Sequence, residues 1–149
     1  MLSLNLPSFE TKIDIREGKK VIFDIIRKRY VPLTSEEWVR QHFVHFLIVC
    51  KGYPQSLLAN EVFIKLNSTV KRCDTVLYRR DLSARMIIEY KAPHVEITQR
   101  VFDQITRYNM TLRADYLVVS NGMKHYCCRM DYGQQSICFL KDIPDYHLL

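Results

Sequence analysis

The chain has 149 residues, about the length of one domain, and 48% of them are hydrophobic, enough to bury a core. Four glycines and five prolines are too few for a linker or a collagen-like chain. An excess of 22 Lys and Arg over 16 Asp and Glu leaves a formal net charge of +6, which admits nucleic-acid or anionic partners without requiring them.

The first thirty residues are mixed and basic, and residues 12–29 carry seven basic against three acidic side chains. Val21-Ile22-Phe23-Asp24-Ile25-Ile26 reads as a strand after a turn at Gly18-Lys19-Lys20, and the region reads as an N-terminal extension packed on one domain. Thr34 with Glu37 three residues later forms a capping-box pattern. Trp38, Phe43, Phe46 and Leu47 follow at helical spacing, predicting a helix over about 35–50 that ends near Gly52, with Trp38 as a core anchor and His42 and His45 in amphipathic packing.

Three strand-like runs come next: Asn60–Leu66, Cys73–Tyr78 and Met86–Lys91, the last two joined by a short polar link as in a hairpin. Pro93 stops the third. From about 96 to 112 the spacing turns helical, with Val101, Ile105, Tyr108 and Leu112 on one stripe. Tyr116–Ser120 reads as a buried strand before a turn at Asn121-Gly122, and Lys124–Met130 with Ser136–Leu140 as a terminal hairpin across Gly133. The order predicts a mixed α/β layer with helices covering the sheet.

Several classes are excluded. No apolar run approaches the roughly 20 residues that span a bilayer, the start lacks the pattern of a signal peptide, and no glycine-rich phosphate loop is present. Five cysteines without a CxxC pair argue for reduced, mostly buried thiols, as in a cytoplasmic protein, over a disulfide or zinc framework. Adjacent Cys127 and Cys128 should point to opposite faces of a strand.

Charge then falls where buried strands should have none. Asp74 lies inside the second run, and Glu89 and Lys91, two apart, share one face at the end of the third. A hairpin between these strands would bring two carboxylates and an ammonium together at a sheet edge. Mg²⁺ prefers a few carboxylate oxygens and keeps several waters. It can neutralise phosphate charge and acidify a water, while a lysine helps to position the attacking water and offsets developing charge. An isolated E-x-K is more often a plain ion pair tying a strand end. Gln104 and Tyr108, four apart on one helix face, add a second signal, because Gln104 abuts the apolar stripe. The basic stretch 65–80 holds Lys65, Lys71, Arg72, Arg79 and Arg80 around Asp74.

Asp74, Glu89-Tyr90-Lys91 and Gln104-Ile105-Thr106-Arg107-Tyr108 together resemble the PD-(D/E)XK nuclease superfamily with its QxxxY motif. More closely, residues 23–146 resemble the N-terminal nuclease domain of type I restriction enzyme R subunits, through Leu33–Gln41, Lys71–Asp74, Glu89–Pro93 and Tyr108–Met110. The resemblance implies a restriction-endonuclease-like α-β-β-β-α-β core at 31–120, an extension at 1–30 and terminal strands at 121–149, all in one domain. It implies Asp74, Glu89, Lys91, Gln104 and Tyr108 as catalytic residues. Asp74, Glu89 and the Tyr90 carbonyl would be metal ligands for Mg²⁺, with Mn²⁺ as a substitute. Glu37 is the first-helix candidate for a further ligand, although its capping role is already sufficient, and Glu61 is a weaker rival.

Lys71, Arg72 and Arg107 would contact DNA, and His94 is the one histidine near the proposed site. Cys73 stands where the name-giving proline would be. A chain of 149 residues has no room for the helicase-like ATPase of R subunits, so the expectation is a stand-alone Mg²⁺-dependent DNA nuclease domain of a restriction-modification system. A helicase or specificity chain would be its partner, and a homodimer is an option that the sequence leaves open. The alternative is a non-catalytic DNA-binding or protein-docking module. A purely structural α/β domain would leave Gln104 unexplained.

Overall fold

The computed structural model describes residues 2–149 and contains two sheets and two helices. A three-stranded antiparallel sheet comprises β1 (Ile13–Arg16), β2 (Lys19–Asp24) and β3 (Arg29–Pro32). The expected strand at 21–26 is thus its middle member, shifted toward the N-terminus, and Ile25 and Ile26 lie in the following turn. Helix α1 (Ser35–Lys51) comes next, then β4 (Leu58–Leu66), β5 (Thr69–Tyr78), β6 (Ala84–Tyr90), helix α2 (Gln99–Leu112), β7 (Tyr116–Ser120), β8 (His125–Asp131) and β9 (Ser136–Leu140). The main sheet runs β4-β5-β6-β7-β8-β9, and only β6 and β7 are parallel, joined through α2. This is the expected mixed α/β arrangement.

The local causes are direct. The Thr34 hydroxyl accepts from the Glu37 N–H at 3.0 Å and starts α1. Only that half of the capping box forms, because the Glu37 carboxylate turns to Arg27 and Gln41. Gly52 closes the helix in the left-handed region at φ 73°, where a side chain would be strained. The core-facing strand β7 is buried along its whole length and β6 is apolar except for Arg85 and Glu89, as befits strands flanked by helices on both sides.

The sheet separates two cores. Phe43, Leu47, Leu58, Leu77, Ile88 and Tyr90 pack beneath α1. Ile64, Cys73, Val76, Ile87, Phe102, Ile105 and Tyr108 pack beneath α2. Each fully buried aliphatic side chain contributes roughly 1.5–3 kcal/mol relative to an exposed one. Cys127 and Cys128 fall on opposite sides, and all five cysteines are free, with Cys50 and Cys138 exposed. Trp38 is only half-buried, its indole N–H donating to the Leu2 carbonyl, so Phe43 and Leu47 are the true anchors of α1. No helix among the described residues is long and apolar enough to cross a membrane.

One irregularity positions everything that follows. Leu58 and Ile64, six residues apart on β4, face opposite cores, whereas residues an even number apart on a regular strand share a face. Cys73 and Val76, three apart on β5, face the same core. Both strands therefore slip phase together at Glu61 and Asp74. Glu61 takes up the slip at φ 59°, a left-handed conformation uncommon for a glutamate. Beyond this point β4 and β5 continue as a two-stranded ribbon, because β6 has already ended.

Candidate active site

The register that pairs Thr75 with Ile88 sets Asp74 beside Glu89 at the C-terminal end of β6. The Tyr90 N–H donates to Asp74 Oδ2 at 2.8 Å. The next residue leaves the strand, with the Lys91 N–H donating to the Ser120 carbonyl at 2.9 Å, and the chain turns away at Pro93. The Tyr108 hydroxyl, reaching over from α2, donates to Glu89 Oε2 at 2.9 Å. Lys91 Nζ lies 3.9 Å from Glu89 Oε1. The two carboxylates therefore sit within interior strands, where β6 stops and the ribbon continues, and not at the outer edge of the sheet as the sequence reading supposed.

This placement has an electrostatic cost. Burial, and next the charge of Asp74, push the Glu89 carboxyl up to about 7, with the Tyr108 hydroxyl and Lys91 pulling it back only in part. Burial also raises Asp74 above the ordinary aspartate range, offset by the Tyr90 N–H and Arg40 and reinforced by Glu36 and Glu61. Burial and the neighbouring Glu89 raise the Tyr108 hydroxyl far above its ordinary value, so it acts as a donor and stays protonated. Burial pushes the Cys73 thiol up to about 12, which removes it as a nucleophile.

Arg40 is the residue that sequence reasoning missed. It is buried on α1 among Val39, Phe43 and Val44. Its guanidinium meets Glu61 at 2.6 Å, donates to the Asp74 carbonyl at 3.2 Å, and lies 3.4 Å from Glu37 and 3.9 Å from Asp74 Oδ1. Arg27 bonds Glu37 at 2.8 Å and Asp24, while Arg72 bonds Glu61 at 2.6 Å. Glu37 and Glu61 are thus each held by two arginines. The first-helix acid whose charge acts on both Asp74 and Glu89 is Glu36, which is exposed and lines a cleft of about 740 Å³. The available signal was Arg40 itself, a guanidinium set into an apolar helix stripe.

The remaining candidates are more dispersed. Gln104 is exposed one turn before Tyr108, so it does not lie on the buried stripe as its spacing suggested. Arg107, Lys71 and Arg72 are exposed, and His94 lines the same cleft as Glu36 and Arg72. His42 is buried against Phe9 and Trp38, and His125 begins β8, so both are packing residues. Among the described residues no three acidic, cysteine or histidine side chains are grouped closely enough to hold a metal by themselves. What the site offers is two carboxylates, the Tyr90 carbonyl position and an ammonium.

Residues 35–144 match the family described as "Type I restriction enzyme R protein N terminus (HSDR_N)". The chain belongs to this family of R-subunit N-terminal domains. A fragment described as an HsdR subunit of a type I restriction enzyme from Vibrio vulnificus YJ016 shares the fold, with a TM-score of 0.53 at 19% identity over 75% of this chain. The chain spans 24% of that structure. No curated protein matches the chain.

Proposed function

We propose that this domain is a metal-dependent deoxyribonuclease of the restriction-endonuclease-like, PD-(D/E)XK kind, hydrolysing DNA phosphodiesters as the nuclease-related part of a restriction system. The observation that carries the reading is the convergence of Asp74, Glu89, Lys91 and Tyr108 at the end of β6, in a member of the R-subunit N-terminal family. A nearby motor or specificity chain would deliver the substrate.

The donor set fits Mg²⁺, or Mn²⁺ in its place. Burial raises the proton affinity of both carboxylates, and the charge of Asp74 raises that of Glu89 further, a state that a divalent cation relieves. Mg²⁺ commonly binds proteins through only one or two carboxylates and keeps its waters, so a three-side-chain cluster is not required. Asp74, Glu89 and the Tyr90 carbonyl would hold it, with Glu36 ahead of Glu37 as the helix contribution. When bound, it supplies neutralisation of phosphate charge and acidification of a water.

The chain's own residues do the rest. The Tyr90 N–H and Arg40 fix Asp74, and the Tyr108 hydroxyl fixes Glu89. The Lys91 ammonium orients the attacking water and offsets charge developing on the phosphate oxygens. Exposed Lys71, Arg72 and Arg107 hold backbone phosphates, which positions the strand without reading its sequence. Gln104, exposed one helical turn from Tyr108, would contact the same strand.

A plasmid-nicking assay tests the reading. Mg²⁺ or Mn²⁺ should support nicking that Asp74→Ala and Lys91→Ala each reduce by at least 100-fold, on the order expected when a positioned catalytic group is lost. Equal activity of Lys91→Ala and the unmodified protein would overturn it. The second reading, a non-catalytic docking module, rests on Arg40 already engaging the Asp74 backbone carbonyl and lying 3.9 Å from its carboxylate. It expects salt-sensitive DNA binding with no metal-dependent cleavage.

A further inference from the structure

The phase slip at Glu61 and Asp74 does more than turn Asp74. It reverses the faces of the ribbon beyond, so that Val62, Ile64 and Leu66 pack toward α2. Phe63 and Lys65 are thereby left on the opposite side. Their cross-strand partners are Arg72 and Val70, and partners directly opposite share a face. Phe63, Lys65, Val70 and Arg72 therefore form one continuous face.

That face is exposed and apolar as well as basic. Phe63 is 70% exposed and Val70 62% exposed, and both lie diagonally next to each other across the ribbon. An isolated exposed apolar residue is ordinary, but a paired aromatic and aliphatic patch between two cations is not. Phe63 and Arg72 line the cleft that also holds Glu36, Arg29 and His94, and Arg40, which lines the same cleft, lies 3.9 Å from Asp74. Lys65 and Arg29 form no ion pair among the described residues, and their charge is available for an anionic occupant.

We propose that this ribbon face is a stacking platform for an unpaired base, and that the preferred substrate carries a single-stranded segment beside the phosphodiester to be cut. The proposal rests on the nuclease reading for its placement of the cut, but the binding it asserts is separable from catalysis. A duplex shields its base faces, so an exposed ring gains nothing from it. A single-stranded nucleotide presents a face to Phe63 while its flanking phosphates meet Lys65, Arg72 and Arg29. Base–aromatic stacking tolerates any sequence, because every base has a π-face.

The test is fluorescence anisotropy in EDTA, where no cleavage occurs, with three labelled DNA probes. These are a 20-nucleotide single strand, the blunt duplex of the same sequence, and that duplex with a five-nucleotide gap. The full chain should bind the single strand and the gapped duplex more tightly than the blunt duplex. Phe63→Ala should weaken binding to the first two by roughly 5- to 150-fold, the range of one lost stack, and leave the blunt duplex unchanged. Phe63→Tyr should restore the preference. Lys65→Ala should weaken all three probes alike and lower the salt dependence.

Equal affinity of the full chain for all probes, no binding to any, or an unchanged preference in Phe63→Ala would overturn the proposal. Phe63 is a surface residue, so its variants should melt with the unmodified protein, and circular dichroism checks this. A chain that shows the Phe63-dependent preference yet never nicks DNA with Mg²⁺ refutes the nuclease reading alone. One that nicks but lacks the preference refutes this inference alone.

Discussion

Glu89 offers the most direct measurement of what the site costs the fold. Its carboxyl is raised from the ordinary 4.5 to about 7, by burial first and then by the charge of Asp74. Ionisation is therefore easier in the unfolded chain than in the folded one. Folding stability is complete below about pH 4.5, declines as pH climbs toward 7, and levels off above. The full decline is on the order of 3 kcal/mol, because one pKa unit corresponds to about 1.4 kcal/mol. Glu89→Gln keeps the shape and an acceptor for the Tyr108 hydroxyl but has no charge to bury. In a domain of this size, roughly 3 kcal/mol moves the melting temperature by about 6–12 °C. Thermal unfolding in EDTA should thus find the variant close to the parent at pH 5 and markedly more stable at pH 8. Adding Mg²⁺ at pH 8 should raise the melting temperature of the parent and leave the variant nearly unmoved. Parallel stability curves for the two proteins between pH 5 and 8.5 would refute the reasoning.

Two further outcomes concern the charged network that supports the site. Asp24 is fully buried, and although burial alone would raise it, hydrogen bonds from Asn60 and Arg27 hold it below the ordinary 3.8. Its stabilisation is present above that value and is lost as pH falls through the lowered one. Asp24→Ala should therefore cost about 3–5 kcal/mol at pH 7 and progressively less as pH falls below 3.8, read from urea midpoints. Arg40→Met leaves Glu37, Glu61 and Asp74 without their shared cation. It should destabilise the domain by about 3–5 kcal/mol at pH 7, read from the same urea titration.

The parts of the fold that the sequence disclosed share a cause. Tyr116–Ser120 emerges with its boundaries intact because an all-apolar run between polar turns can only be a doubly covered strand. Helix α1 is legible from Thr34 and Gly52, whose effects are local. Strand β1 is not, because Ile13-Asp14-Ile15-Arg16 is exposed on every residue and has no burial pattern to show. The slip at Glu61 is hidden for a different reason. A left-handed residue is normally signalled by glycine, and here the backbone cost is met by the ion pairs of Glu61 with Arg40 and Arg72. Asp74, Glu89 and Lys91 were legible as charges in apolar strands. Arg40 was not, since its three carboxylate neighbours come from residues 37, 61 and 74 and meet only in the folded chain. Gln104 shows the opposite error, where helical spacing near an apolar stripe suggested a burial that the helix rotation does not provide.

The ribbon's independence from β6 has a consequence for how such domains can diverge. Residues Thr69–Cys73 pair with β4 alone, and the tip is a turn at Asn67-Ser68. Lengthening both arms by two residues there would carry the tip outward by about 6–7 Å and preserve which side chains face the cleft. Adding one residue to each arm would instead exchange the two faces at the tip. Asp74 at the slip and Glu89 on β6 both lie away from the tip and would feel neither change. Reach can therefore be altered in even steps while the carboxylates stay in place.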